Sequence, residues 1–153
     1  MKCIEESIKY DRAVGYFTSN TLALISQGLE KFINKRGKIR IIANPYLTKE
    51  DFKAIELGYN SKNNLILKKI LKEINVTAQT IKDDVLNVLA WLISEDILEI
   101  KIAYTKNNAI YHEKFGIFYD QAGNSIAFSG SANETRGGLK KKKKKIDVYF
   151  TDS

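Results

Sequence analysis

A strand, a helix and a second strand follow one another between Arg12 and Ala43, and this order constrains the fold more than any other feature. Arg12-Ala-Val-Gly-Tyr-Phe17 is a run of β-formers with little alternation, the pattern of a strand buried on both faces. Thr18-Ser19-Asn20 offers capping side chains to a helix carrying Leu22, Ile25, Leu29, Phe32 and Ile33, which Gly37 ends. Lys38-Ile-Arg-Ile-Ile-Ala43 is the second strand, stopped at Asn44-Pro45 because proline cannot donate to a ladder. A helix between two strands carries the chain back over the sheet, so the strands run parallel.

The remainder extends this α/β pattern. Thr48 with Asp51 three residues on resembles a capping box, opening a short helix that should end near Gly58. Leu65, Ile66, Ile70, Leu71 and Ile74 keep helical spacing, as do Ile81, Val85, Leu89 and Leu92, and these helices are expected to cover the sheet. At Leu98 the period changes to two: Leu98, Ile100, Ile102 and Tyr104 alternate with polar residues, as in a strand with one wet face. Strands are expected near Ile110–Tyr119, Ser125–Phe128 and Ile146–Phe150, the first two joined by a hairpin turn at Asp120–Asn124. The expected architecture is a mixed, largely parallel sheet with helices on both faces, forming one domain over residues 1–153, with a continuation past Ser153 left open.

Charge first suggests a nucleic-acid binder, since 25 Lys and Arg against 18 Asp and Glu give +7. Six of those bases form one run, Lys140–Lys145; without it 19 bases face 18 acids, so the rest of the chain is close to neutral. Other classes fall away. There is no apolar window of about 18 residues to span a bilayer. The segment Met1–Glu6 holds acids where a secretory signal needs an apolar core, so a cytoplasmic protein is expected. Cys3 is the only cysteine, which excludes an intrachain disulfide and a cysteine-rich zinc site.

Chemistry concentrates in Tyr111-His-Glu-Lys-Phe-Gly-Ile-Phe-Tyr-Asp120 and Phe128-Ser-Gly-Ser-Ala-Asn-Glu-Thr135. His112, the only histidine, and Lys114 stand two apart, so on a strand they share a face with roughly 7 Å between backbones. After the hairpin, Gly130-Ser131-x-Asn133 presents a small residue, a hydroxyl and a carboxamide, and antiparallel pairing would return it to His112. The set suits a phosphodiester: Lys114 and Asn133 neutralise and orient the anion, and a neutral imidazole attacks phosphorus. The leaving oxygen needs a proton from a second group, and no second histidine exists in the chain. A copy of the domain or a partner domain must supply it.

His112-x-Lys114 followed by Gly130-Ser131-x-Asn133 resembles the HxK…GSxN signature of the phospholipase D superfamily. The surrounding HEKFGIFYD and IAFSGSANET, with Arg12–Asn20 and Lys38–Pro45, are similar to a prokaryotic nuclease-like branch attached to helicases and restriction enzymes. The resemblance implies that His112 is the nucleophile, that Lys114 and Asn133 clamp the phosphate with help from Ser131, and that Asp147 orients the histidine. It also implies a sheet sandwiched by helices, a DNA substrate with RNA not distinguished, no metal or other cofactor, and a twofold dimer sharing one active site. The family places aspartate five residues after the lysine; here that residue is Tyr119, and Asp120 follows. A one-residue slip or a bulge could restore it.

Other readings stand beside this one. Glu99-x-Lys101 with Asp83, Asp84 or Asp96 mimics a metal-dependent nuclease core, or is the wet face of a strand. Tyr16, Phe17 and Tyr46 either stack on bases or pack in the interior. Lys140–Lys145 is a solvated loop, a phosphate grip or a product of sequence slippage. The chain could also be an inactive module that targets a helicase or restriction enzyme to nucleic acid. A lipid phosphodiesterase is the weakest alternative, since no amphipathic membrane face is present.

Overall fold

A computed structural model describes residues 2–106, 111–130 and 146–151. The elements run α1 (Lys2–Glu6), β1 (Lys9–Ala13), α2 (Asn20–Leu24), α3 (Ser26–Asn34), β2 (Lys38–Ala43), α4 (Lys49–Ser61), α5 (Leu65–Lys72), α6 (Ala78–Asp83), α7 (Val85–Ser94), β3 (Leu98–Ile102), β4 (Phe115–Tyr119), β5 (Ser125–Gly130) and β6 (Ile146–Thr151). The strands form one six-stranded mixed sheet in the order β3-β2-β1-β4-β5-β6. The βαβ unit is present, with β1, β2 and β3 mutually parallel. Parallel pairing stops there: β4 joins β1 antiparallel, and β5 and β6 continue as a meander. The parallel part is therefore half of the strands rather than most of the sheet.

Alternation along the strands sets the layers. Tyr10, Ile39, Ile41, Leu98, Ile100 and Phe118 are buried in one core with Leu29, Phe32, Leu89 and Leu92 of the helices. Tyr10 and Phe118 stack with centroids 4.2 Å apart at its centre. The alternate residues Asp11, Arg40, Ile42, Glu99 and Lys101 line a groove of about 300 Å³ on the other face. Among the described residues the helices pack on the first face alone, not on both as expected. Four of these five alternate residues are charged, so a helix laid there would bury ionised groups rather than apolar surface.

β1, α5 and α4 depart from their sequence patterns. β1 is Lys9–Ala13, not Arg12–Phe17: the Val14 N–H makes the last ladder bond, to the Ile42 carbonyl (2.9 Å), and Val14 and Phe17 then anchor a loop in the core. α5 buries Leu71, while Leu65, Ile66 and Ile70 stay exposed, so helical spacing here does not mark a sheet-covering face. α4 runs past Gly58 to Ser61, since Gly58 sits against Ala90 and Ile93 of α7 rather than closing the helix. Thr48 does cap α4, its Oγ1 accepting from Asp51 N–H at 3.0 Å. Among the described residues no helix is long and apolar enough to cross a membrane.

Candidate active site

The parallel strands β1, β2 and β3 present their carboxyl ends at one edge, and β4 enters the sheet beside β1 at that same edge. Beyond Ala13 and Phe115, which lie opposite one another, the loop after β1 and the segment before β4 diverge. Residues 111–114 lead into β4 here rather than forming its first part, because β1 offers no partner above Ala13.

His112 is exposed and Lys114 half-buried in that segment. Their side chains converge although neither residue lies on a strand as expected: the Lys114 Nζ lies 3.4 Å from His112 Nδ1 and donates to the His112 carbonyl at 3.0 Å. The return of the second motif is also visible. Gly130 N–H donates to the Lys114 carbonyl at 3.0 Å, which pins the start of Gly-Ser-x-Asn beside the lysine. Ser131 and Asn133 lie outside the described residues, as does Lys140–Lys145. On β6, Asp147 stands opposite Ser129, which stands opposite Phe115; its backbone is two strand spacings, about 10 Å, from β4.

A buried arginine adjoins this pair and was not singled out from the sequence. Arg12 is opposite Gly116, two residues from Lys114 along β4, and its guanidinium lies 4.9 Å from the centre of the Phe128 ring. A Cβ on residue 116 would overlap Phe128 and come 3.2 Å from Arg12 Cδ, so glycine makes room for this stack. The available signal was a charge at the head of a strand expected to be buried on both faces. Behind the edge, the buried Asp51 carboxylate accepts from Ser19 N–H (3.3 Å to each oxygen), tying the loop after β1 to the start of α4.

The other singled-out residues separate. Asp120 closes the β4–β5 turn, accepting from Asn124 N–H and Nδ2 at 2.9 Å each, and these bonds hold its carboxyl below the usual carboxylate range. Tyr119 keeps regular register with Ser125, so neither slip nor bulge moves Asp120 into its place. Glu99 pairs with Lys101 at 3.3 Å on the open face. Asp96 bonds Lys62, Asp83 accepts from Gln79, and Asp84 from Asn87. Among the described residues no three potential metal ligands converge, so the carboxylates of the metal-nuclease pattern are not brought together. Phe17 is core, whereas Tyr16 and Tyr46 are exposed. Cys3 is an exposed thiol.

No protein-family model matches the chain, and a search of curated proteins returns no match.

Proposed function

We propose that this protein is a phospholipase D-like phosphodiesterase, a DNA endonuclease that works without a metal ion. The observation that carries this reading is the convergence of His112 and Lys114 at the edge where Gly130 returns to Lys114. An imidazole nitrogen of His112 attacks phosphorus, forming an N–P bond as one P–O ester bond breaks. The leaving oxygen takes a proton from a second histidine, supplied by a partner copy. Water then gives a proton to the second histidine as it adds to phosphorus, and the N–P bond breaks, returning both imidazoles to their starting state. Lys114 and Asn133 bind the non-bridging oxygens, whose charge grows in the transition state, with Ser131 assisting. Asp147 is the residue proposed to orient His112.

The displaced family aspartate does not weigh against catalysis. Asp120 holds the hairpin turn about 20 Å along β4 from Lys114, so exchanging its place with Tyr119 leaves the reacting groups untouched. The decisive assay is cleavage of plasmid DNA in EDTA. The purified chain should cut and trap an acid-labile phosphate on His112; His112→Ala should do neither. A variant that cuts in EDTA at the original rate overturns the mechanism.

A further inference from the structure

Of the aromatic side chains left exposed among the described residues, Tyr16, Tyr46 and Tyr104 leave the sheet at one edge, from the loops after β1, β2 and β3. Two hydrogen bonds set these loops side by side. Asn44 N–H donates to the Gly15 carbonyl at 3.4 Å, and Ala103 N–H to the Ala43 carbonyl at 2.8 Å. The order along the edge is therefore Tyr104, Tyr46, Tyr16, and then, across β1, the His112–Lys114 segment. Neighbouring strands are about 4.8 Å apart, so the row covers roughly 15 Å and ends at the candidate phosphate site.

Packing leaves part of each ring open to solvent. Tyr16, Tyr46 and Tyr104 are 37%, 58% and 80% exposed, while Val14 and Phe17 anchor the first loop and buried Asn44 anchors the second. The rings are nonetheless held ready. Asn44 Oδ1 accepts from Tyr46 N–H at 3.0 Å, fixing that loop, and the Tyr16 and Tyr46 centroids stand 6.5 Å apart at an inclination of 31°. Beside Tyr46 the first turns of α4 expose Lys49, Phe52 and Lys53 along one shallow groove, with Glu56 at its far end. Aromatic faces interleaved with lysines match an unpaired nucleic-acid strand, whose bases stack and whose phosphates seek cations. A duplex keeps its base faces inside the helix and offers such rings nothing to stack on.

We infer that this edge is a stacking platform for single-stranded nucleic acid, with Tyr104, Tyr46 and Tyr16 taking successive bases and feeding the backbone to His112 and Lys114. The inference rests on the phosphodiesterase reading for the direction of the strand, not for the binding itself. Fluorescence anisotropy in EDTA tests it, using the full chain carrying His112→Ala so that nothing is cut. The probes are a labelled thymidine strand, its uridine ribose counterpart, the same strand with abasic sites, and a duplex of equal length.

Tyr16→Ala and Tyr46→Ala should each weaken binding of an unpaired strand about ten-fold, and Tyr46→Phe should not. The abasic strand should bind as weakly to the unsubstituted tyrosines as the normal strand binds to the double alanine variant. Duplex binding should ignore both changes. All these rings are exposed, so unaltered thermal midpoints will show the variants folded. Strand binding that survives both alanines, or an abasic strand held as tightly as the normal one, overturns the platform. Base-dependent binding in a chain that never cuts DNA leaves the platform and removes the phosphodiesterase; cutting without base-dependent binding does the reverse.

Discussion

At the residue scale, Lys114 is the side chain whose present contacts say most about its work. An ammonium has three donors. One is on the His112 carbonyl, which steers the head group beside the imidazole and leaves donors for a phosphate oxygen. Lys114→Met keeps the apolar stem and removes the charge, and should lower kcat/KM for phosphodiester cleavage about 100-fold or more. Lys114→Arg should recover little of it, since a planar fork does not replace a compact cation. Steady-state cleavage in EDTA measures both. Acid stability turns on another pair. Arg40 donates to both Asp11 oxygens, at 2.7 and 2.6 Å, and with Lys9 beside them this keeps the Asp11 carboxyl below its usual range. The unfolded chain therefore takes up that proton first. The stabilisation is complete above the unfolded value of about 3.9 and is lost as pH falls through the lower folded value. Denaturant titrations from neutral to acid pH should show this loss in the parent and a shallower one in Asp11→Asn.

At the scale of elements, the contact of α4 with α7 positions the loops of the candidate site. Gly58 lets the two helices meet: a Cβ there would stand 2.7 Å from Ile93 Cβ and 2.8 Å from the Ala90 carbonyl oxygen, both rigid parts of α7. Gly58→Ala should destabilise the fold by about 1–3 kcal/mol, seen as a lower urea midpoint at unchanged slope. At the other end of α4, Thr48→Ala removes the cap and should cost about 1 kcal/mol, whereas Thr48→Ser should cost little. The capping pattern was legible because it depends on residues three apart. Helix breaks at Ile25 and Asp84 were not, since the apolar spacing runs through both while the backbone turns between packed neighbours. The same limit explains α5, whose spacing gives a helix but cannot say that Leu65, Ile66 and Ile70 have nothing over them among the described residues.

For the whole molecule, one histidine per chain makes the proposed chemistry a property of two chains. Specific activity should fall on dilution below the dimer dissociation constant. Adding excess His112→Ala chain should poison the unsubstituted protein by capturing its subunits in one-histidine sites. Sedimentation alongside the assay checks this, and a monomer with full activity would contradict it. The +7 charge does not anticipate the candidate site. Its basic excess lies in Lys140–Lys145, whereas the residues that point to a phosphate are His112 and Lys114 at one end of the sheet.

Order of residues alone sufficed for whatever depends on near neighbours. The α/β alternation and β3 follow from periods of two and 3.6, and the cap at Thr48 from residues three apart. Pairing between distant segments belongs to the tertiary structure. Because β4 joins β1 antiparallel, the histidine falls at the carboxyl edge of the parallel strands and Gly130 returns to Lys114. Because β1, β2 and β3 lie in order, Tyr16, Tyr46 and Tyr104 become neighbours although loops far apart in the chain carry them. Register joins residues through hydrogen bonds whose partners no local pattern names.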